Sequence, residues 1–154
     1  MTATLAEALE QEHKDIDAGI SAFTGGLADG APPVDTMRKA LAAHRRHIYL
    51  EETILFPPLR AGGMFAAILV MLREHGQMWN LMDELEPLVA AGGTDPAVPG
   101  LCEKFVALIA AHNLKEEATI YAKADETLNG PATEQLREFL ATGTMPAGWV
   151  CEKA

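Results

Sequence analysis

Four histidines and two glutamates in this 154-residue chain recur in a pattern that packing alone does not require. His47 is followed four residues later by Glu51, within His47-IYL-Glu51-Glu52, and His112 by Glu116, within His112-NLK-Glu116-Glu117. Ahead of each pair stands a Glu-His dipeptide, Glu12-His13 and Glu74-His75. The first histidine precedes the second by 34 residues in one half and by 37 in the other. Residues four apart share one face of a helix, so each His-Glu pair can aim an imidazole and a carboxylate at one point. A single histidine on an apolar seam is ordinarily a satisfied core residue. Four in repeated register, two of them paired with glutamate, point instead to a metal site, because buried ionisable groups are otherwise costly.

Four imidazoles and two carboxylates suit two first-row metal ions. Each ion can take two histidines, both glutamates can bridge, and a solvent-derived oxo or hydroxo group can complete the pair. Nitrogen and oxygen ligation without thiolate favours iron or manganese, whereas affinity order lets zinc or copper substitute. The count leaves coordination positions open for a small molecule. Cys102 and Cys151 are too few and too far apart for a disulfide framework or a CxxC site and read as reduced thiols, Cys151 exposed.

The elements that must position these residues follow from the punctuation. Gly, Pro and Asp cut the chain at 25 to 35, 57 to 63 and 90 to 96, leaving four segments long enough for several helical turns. The first opens with a Thr4–Glu7 capping box and places Leu5, Leu9, His13, Ile16, Ile20 and Phe23 at helical steps. The second carries Met37, Ala40, His44, His47, Glu51 and Ile54 and is expected to stop at Pro57-Pro58. The third carries Ile68, Leu72, His75, Trp79 and Met82, with Pro87 expected to kink or end it. The fourth is expected to begin at Pro96, capped by Asp95, and carries Leu101, Phe105, Leu108, His112 and Glu116. Short connections predict an all-α, antiparallel up-down-up-down four-helix bundle over about 4 to 127. A short helix after Pro131 and a tail anchored by Trp149 complete a single domain spanning 1–154.

An apolar fraction of 49% argues for a folded chain, and a formal charge of −10 with no basic run argues against nucleic acid as a partner. The acidic N-terminus lacks a signal-peptide pattern and no apolar run approaches a membrane span. A cytoplasmic location with no membrane partner is the expectation.

The motifs EHKDI at His13, HIYLEETILFP at His47 and Glu51, REHGQM at His75 and HNLKEEATIYA at His112 and Glu116 together resemble the hemerythrin-like HHE cation-binding family, over roughly residues 5 to 127. The resemblance implies a four-helix bundle around a non-haem di-iron centre, with His13, His47, Glu51, His75, His112 and Glu116 as iron ligands. It departs from the oxygen carriers of that family in two respects. They place a second histidine four residues along the third helix, where this chain has Trp79, and commonly an aspartate at +5 on the fourth, where it has Glu117. The pattern is closer to members with four histidines and two glutamates, some linked to nitric-oxide stress and iron-centre repair.

Three further residues bear on the site. His44, one turn before His47, is read as a substitute ligand or a neighbour of the ligands, Trp79 as a ring closing the site, and Tyr121 as a redox-active or hydrogen-bonding group. Glu12 and Glu74, each preceding a histidine of the set, are read as partners of the ligands or as residues on solvated helix faces, Glu52 and Glu117 as turned about 100° from the ligand glutamates onto the helix flank, and Arg45 and Arg46 as reaching solvent or surface carboxylates. The functional expectation is a di-iron protein that binds, senses or processes O2, NO or peroxide, with redox turnover left open. The alternative is iron storage, delivery or iron-centre repair through an unidentified protein partner.

Overall fold

A computed structural model describes residues 2–154, and every element in it is helical. The order is α1 (Leu5–Ala28), α2 (Val34–Leu50), a π turn (Glu51–Leu55), α3 (Phe56–Ala61), α4 (Phe65–Ala90), α5 (Val98–Glu116), a second π turn (Glu117–Tyr121), α6 (Ala122–Thr127) and α7 (Gly130–Thr142). Since each π turn joins its neighbours without interruption, α2 runs into α3 and α5 into α6 as continuous rods. Around the core, α1 packs on α2, α2 on α4, α4 on α5 and α5 on α1. No helix among the described residues is long and apolar enough to cross a membrane.

Local chemistry accounts for the helix ends. Thr4 Oγ1 accepts the Glu7 N–H at 3.1 Å and Glu7 Oε2 accepts the Thr4 N–H at 2.8 Å, closing the expected capping box. Asp125 adds to it from α6, accepting the N–H groups of Leu5 and Ala6. The first turn of α1 is thereby tied to the far end of the fourth rod. Asn129 caps α7 by accepting the Ala132 N–H, with Pro131 in the first turn.

Three expected boundaries are corrected. The second helix does not stop at Pro57-Pro58: the Phe56 N–H bonds to the Glu51 carbonyl across the π turn, and the two prolines fall in the first turn of α3, where their missing N–H groups cost little. Pro87 does not end α4 at once: it lies in the last turn and the helix closes at Ala90. The fourth helix begins at Val98 rather than Pro96, with Asp95 Oδ1 instead holding the Ala97 N–H in the preceding turn.

The apolar core is split in two by the layer of ionisable groups. One cluster, including Ile20, Phe23, Met37, Leu85 and Phe105, fills the end towards the α1–α2 loop. The other, including Leu5, Leu9, Leu59, Ile68 and Tyr121, fills the opposite end. Gly19 allows α1 and α2 to approach closely, since a Cβ there would lie 2.9 Å from that of Ala40. The chain after α7 runs back over the bundle, with Trp149 edge-on to both Tyr49 and Trp79 and Cys151 buried behind it. Cys151 is therefore not the exposed thiol expected, although both cysteines are free.

Candidate metal centre

Each of the four rods delivers one histidine to the layer between the two apolar clusters: His13 from α1, His47 from α2, His75 from α4 and His112 from α5. All four are buried, and Glu51 and Glu116 are wholly inaccessible. Two buried sets capable of holding a metal ion result, His13–His47–Glu51–Glu116 and Glu51–His75–His112–Glu116. Both glutamates belong to both sets.

The carboxylates divide their oxygens between the two sides. Glu116 Oε1 stands 3.1 Å from His13 Nε2 and Glu51 Oε2 3.2 Å from His47 Nε2. Across the centre, Glu51 Oε1 is 3.1 Å from His75 Nε2 and Glu116 Oε2 is 3.2 Å from His112 Nε2. Despite that proximity, Glu51 Oε1 and Glu116 Oε2 have no hydrogen-bond partner. The nearby ring nitrogens are close without being aligned on them. Imidazole nitrogens and carboxylate oxygens are thus gathered within reach of common points, as a shared metal site requires.

The outer ring nitrogens complete the pattern. Nδ1–H of His13 donates to Glu117 at 2.8 Å and that of His75 to Glu52 at 2.7 Å. Nδ1–H of His47 donates to Glu12 at 2.8 Å and that of His112 to Glu74 at 2.9 Å. An ionised carboxylate only accepts, so each ring carries its proton on Nδ1 and turns Nε2 inward. These four glutamates fix tautomer and ring orientation, the partner role left open for Glu12 and Glu74 but not foreseen for Glu52 and Glu117. The Glu-His dipeptides and the Glu-Glu pairs were the available sequence signal, for every one of the four lies beside a member of the inner set.

Charge is heavily concentrated here. Burial raises the carboxyl of Glu51, and Glu116 beside it does the same, yet His47 and His75 hold it below its ordinary value. Burial likewise opposes ionisation of Glu116, but His112 and His13 depress its pKa strongly. Against desolvation, Glu51, Glu52 and Glu116 push His75 up to about 9, and the inner glutamates raise His13 and His47. Six carboxylates around four imidazoles form a nest for cations.

Tyr121 is buried at the heart of the first set. Its hydroxyl donates to Glu51 Oε2 at 2.6 Å and lies 2.9 Å from the Nε2 atoms of both His13 and His47. His44 and Trp79 are not brought into either set. Both His44 ring nitrogens are unpartnered, its edge meets Phe105 at 5.7 Å, and burial followed by the charge of four other histidines keeps its pKa well below normal. Trp79 packs between Trp149 and the Arg45 guanidinium. Arg45 is itself nearly buried, paired with Asp83 and Glu86. Arg46 reaches Glu12 and three carbonyls at the end of α7, tying that helix to the partner of His47.

The model of the hemerythrin HHE cation binding domain matches residues 4–124. The chain belongs to this family. The match spans all four rods and every residue of both sets, and it makes the HHE domain the frame in which the centre is read. No curated protein and no solved structure gives a match to the chain. Cation binding by the HHE domain agrees with the buried histidine and glutamate sets.

Proposed function

We propose that this chain is a single-domain, antiparallel four-helix bundle holding a di-iron centre, at which it binds a small diatomic molecule or peroxide. His13, His47, His75 and His112 are the imidazole ligands, and Glu51 and Glu116 bridge. The observation that carries this reading is the division of the two glutamates' oxygens between two histidine pairs, with one oxygen of each left unpartnered in a fully buried layer. Two cations there would balance the carboxylates that the imidazoles alone do not. Bound iron supplies reversible one-electron chemistry and open coordination positions.

The chain supplies the rest. Glu12, Glu52, Glu74 and Glu117 hold the Nδ1 protons, so Nε2 is the only nitrogen offered inward. Metal loading competes with protons at His13, His47 and His75, whose pKa values the surrounding glutamates raise, so loading should strengthen as pH rises. The apolar clusters on either side exclude bulk water and larger molecules, which favours a ligand of a few atoms.

Iron-loaded protein, reduced anaerobically and then exposed separately to O2, NO, azide and peroxide, tests this by absorption spectroscopy. The expected result is a distinct adduct spectrum with at least one of them. Spectra unchanged by all four would contradict ligand binding. Rapid consumption of NO or peroxide would make the protein an enzyme, stable adducts a carrier or sensor, and loss of iron to an apo-acceptor a donor.

A further inference from the structure

The two halves of the centre match group by group. His13 and His47 stand with ring centroids 4.8 Å apart, and His75 and His112 5.0 Å apart. Glu117 holds His13 as Glu52 holds His75, and Glu12 holds His47 as Glu74 holds His112. One π turn begins at Glu51 itself and the other directly after Glu116, and five residues after each glutamate comes an aromatic ring. In an α-helix the fifth residue would be rotated by about 140°; the wider π turn returns it towards the glutamate's own face. Tyr121 consequently stacks on His13 at 5.3 Å and 29°, and Phe56 on His75 at 5.5 Å and 15°.

At that one pair of equivalent positions the halves differ. Tyr121 has a hydroxyl and Phe56 has none. The hydroxyl oxygen is 2.9 Å from His13 Nε2, 2.9 Å from His47 Nε2, 2.6 Å from Glu51 Oε2 and 3.0 Å from Glu116 Oε1. Ligand atoms about 2.1 Å from one ion and at right angles stand ~3.0 Å apart, so an oxygen at this spacing from four donors occupies the place of a fifth ligand. On the other side the ring of Phe56 offers no donor, and both unpartnered carboxylate oxygens, Glu51 Oε1 and Glu116 Oε2, face the His75–His112 pair. A surface cleft lined by Glu52, Phe56, Pro57, Leu72 and Glu152 lies beyond Phe56.

We infer that the two metal positions are chemically distinct: Tyr121 ligates the ion held by His13 and His47, and the exogenous ligand binds at the ion held by His75 and His112. This rests on the di-iron reading above. On ligation the Tyr121 O–H bond breaks, an oxygen lone pair forms the bond to the metal and the proton passes to solvent, with no change of oxidation state.

Resonance Raman and absorption spectra of the ferric protein, with iron quantified on the same samples, test the assignment. Wild type should show tyrosinate vibrations and a phenolate-to-iron charge-transfer band with two irons per chain, and should bind one azide. Tyr121→Phe should keep both irons, lose both signatures and bind a second azide. Phe56→Tyr, which puts a hydroxyl on the other half, should keep both irons and weaken azide binding at least tenfold. Two irons without tyrosinate vibrations, or a charge-transfer band unchanged in Tyr121→Phe, would overturn the inference while leaving the di-iron reading intact. Azide binding unchanged in Phe56→Tyr would overturn the placement of the open position. Wild type unable to retain iron would remove the di-iron reading and the inference together.

Discussion

Glu52 joins His75 to the chain's C-terminal segment: one carboxylate oxygen accepts the His75 Nδ1–H at 2.7 Å and the other accepts the Glu152 backbone N–H at 2.9 Å. The tail thus touches the centre through the Glu52 side chain. Its course depends on Gly76, the neighbour of His75, because a Cβ on that residue would collide with the Lys153 carbonyl. Sequence neighbours on α4 therefore serve two purposes, one facing the metal layer and one accommodating the tail.

Replacing Glu52 with Gln removes the anionic acceptor from His75 while keeping the residue's size. Loss of such a partner typically weakens metal affinity by about 10–100-fold. Competition against a chelator should show this for one of two metal equivalents, with helical content unchanged by circular dichroism. Equal weakening of both equivalents would argue against a local effect.

Gly76→Ala should lift the tail from α4. Overpacking of this kind costs about 1–3 kcal/mol, partly offset by alanine's better helix propensity. Denaturant unfolding should register the net loss. Faster alkylation of Cys151, buried in the parent fold, should accompany it. An unchanged alkylation rate would mean that the tail tolerates the methyl group.

The Cys151 thiol gives a pH signature. Burial first, and the charge of Glu52 second, push its pKa from 9.0 up to about 11. An unfolded chain loses this proton at lower pH than the folded one, so the associated stability is complete below pH 9 and falls as pH rises to about 11. The loss approaches about 2 kcal/mol at the upper end. Comparing denaturation midpoints of wild type and Cys151→Ala at pH 8 and above 10 isolates it: the two should diverge less at high pH, as wild type alone pays this penalty.

Metal should stabilise the fold. A ligand that binds only the folded state at 1,000 times its dissociation constant adds about 4 kcal/mol. Chelation of the loaded protein should lower its thermal midpoint, and re-addition of Fe(II) should restore it. A midpoint indifferent to chelation would mean that the buried histidine–glutamate layer stands without cations.

Much of this was legible in the residues. The His-x-x-x-Glu pairs and the Glu-His dipeptides locate the four rods and the layer they share, because helical spacing leaves an ionisable stripe few other places to go. Which histidine each of Glu12, Glu52, Glu74 and Glu117 would hold was not legible, for a geometric reason. Each lies off the face of its neighbouring ligand, yet each reaches a histidine on a different rod, a contact that only tertiary packing creates. How closely Tyr121 enters the layer was not legible, because straight-helix geometry turns it away from Glu116 and the π turn that returns it has no simple sequence signature. Pro57 and Pro58 suggested a stop for the same reason, since a local change in hydrogen-bond register lets the rod continue.

Iron stoichiometry and coupling test the central claim most directly. Apo-protein titrated with Fe(II), oxidised and examined by elemental analysis together with Mössbauer spectroscopy should hold two irons per chain with the diamagnetic ground state of a bridged pair, and Glu51→Ala should retain less iron. One iron per chain, or two that remain magnetically independent in the wild type, would contradict a centre bridged by Glu51 and Glu116.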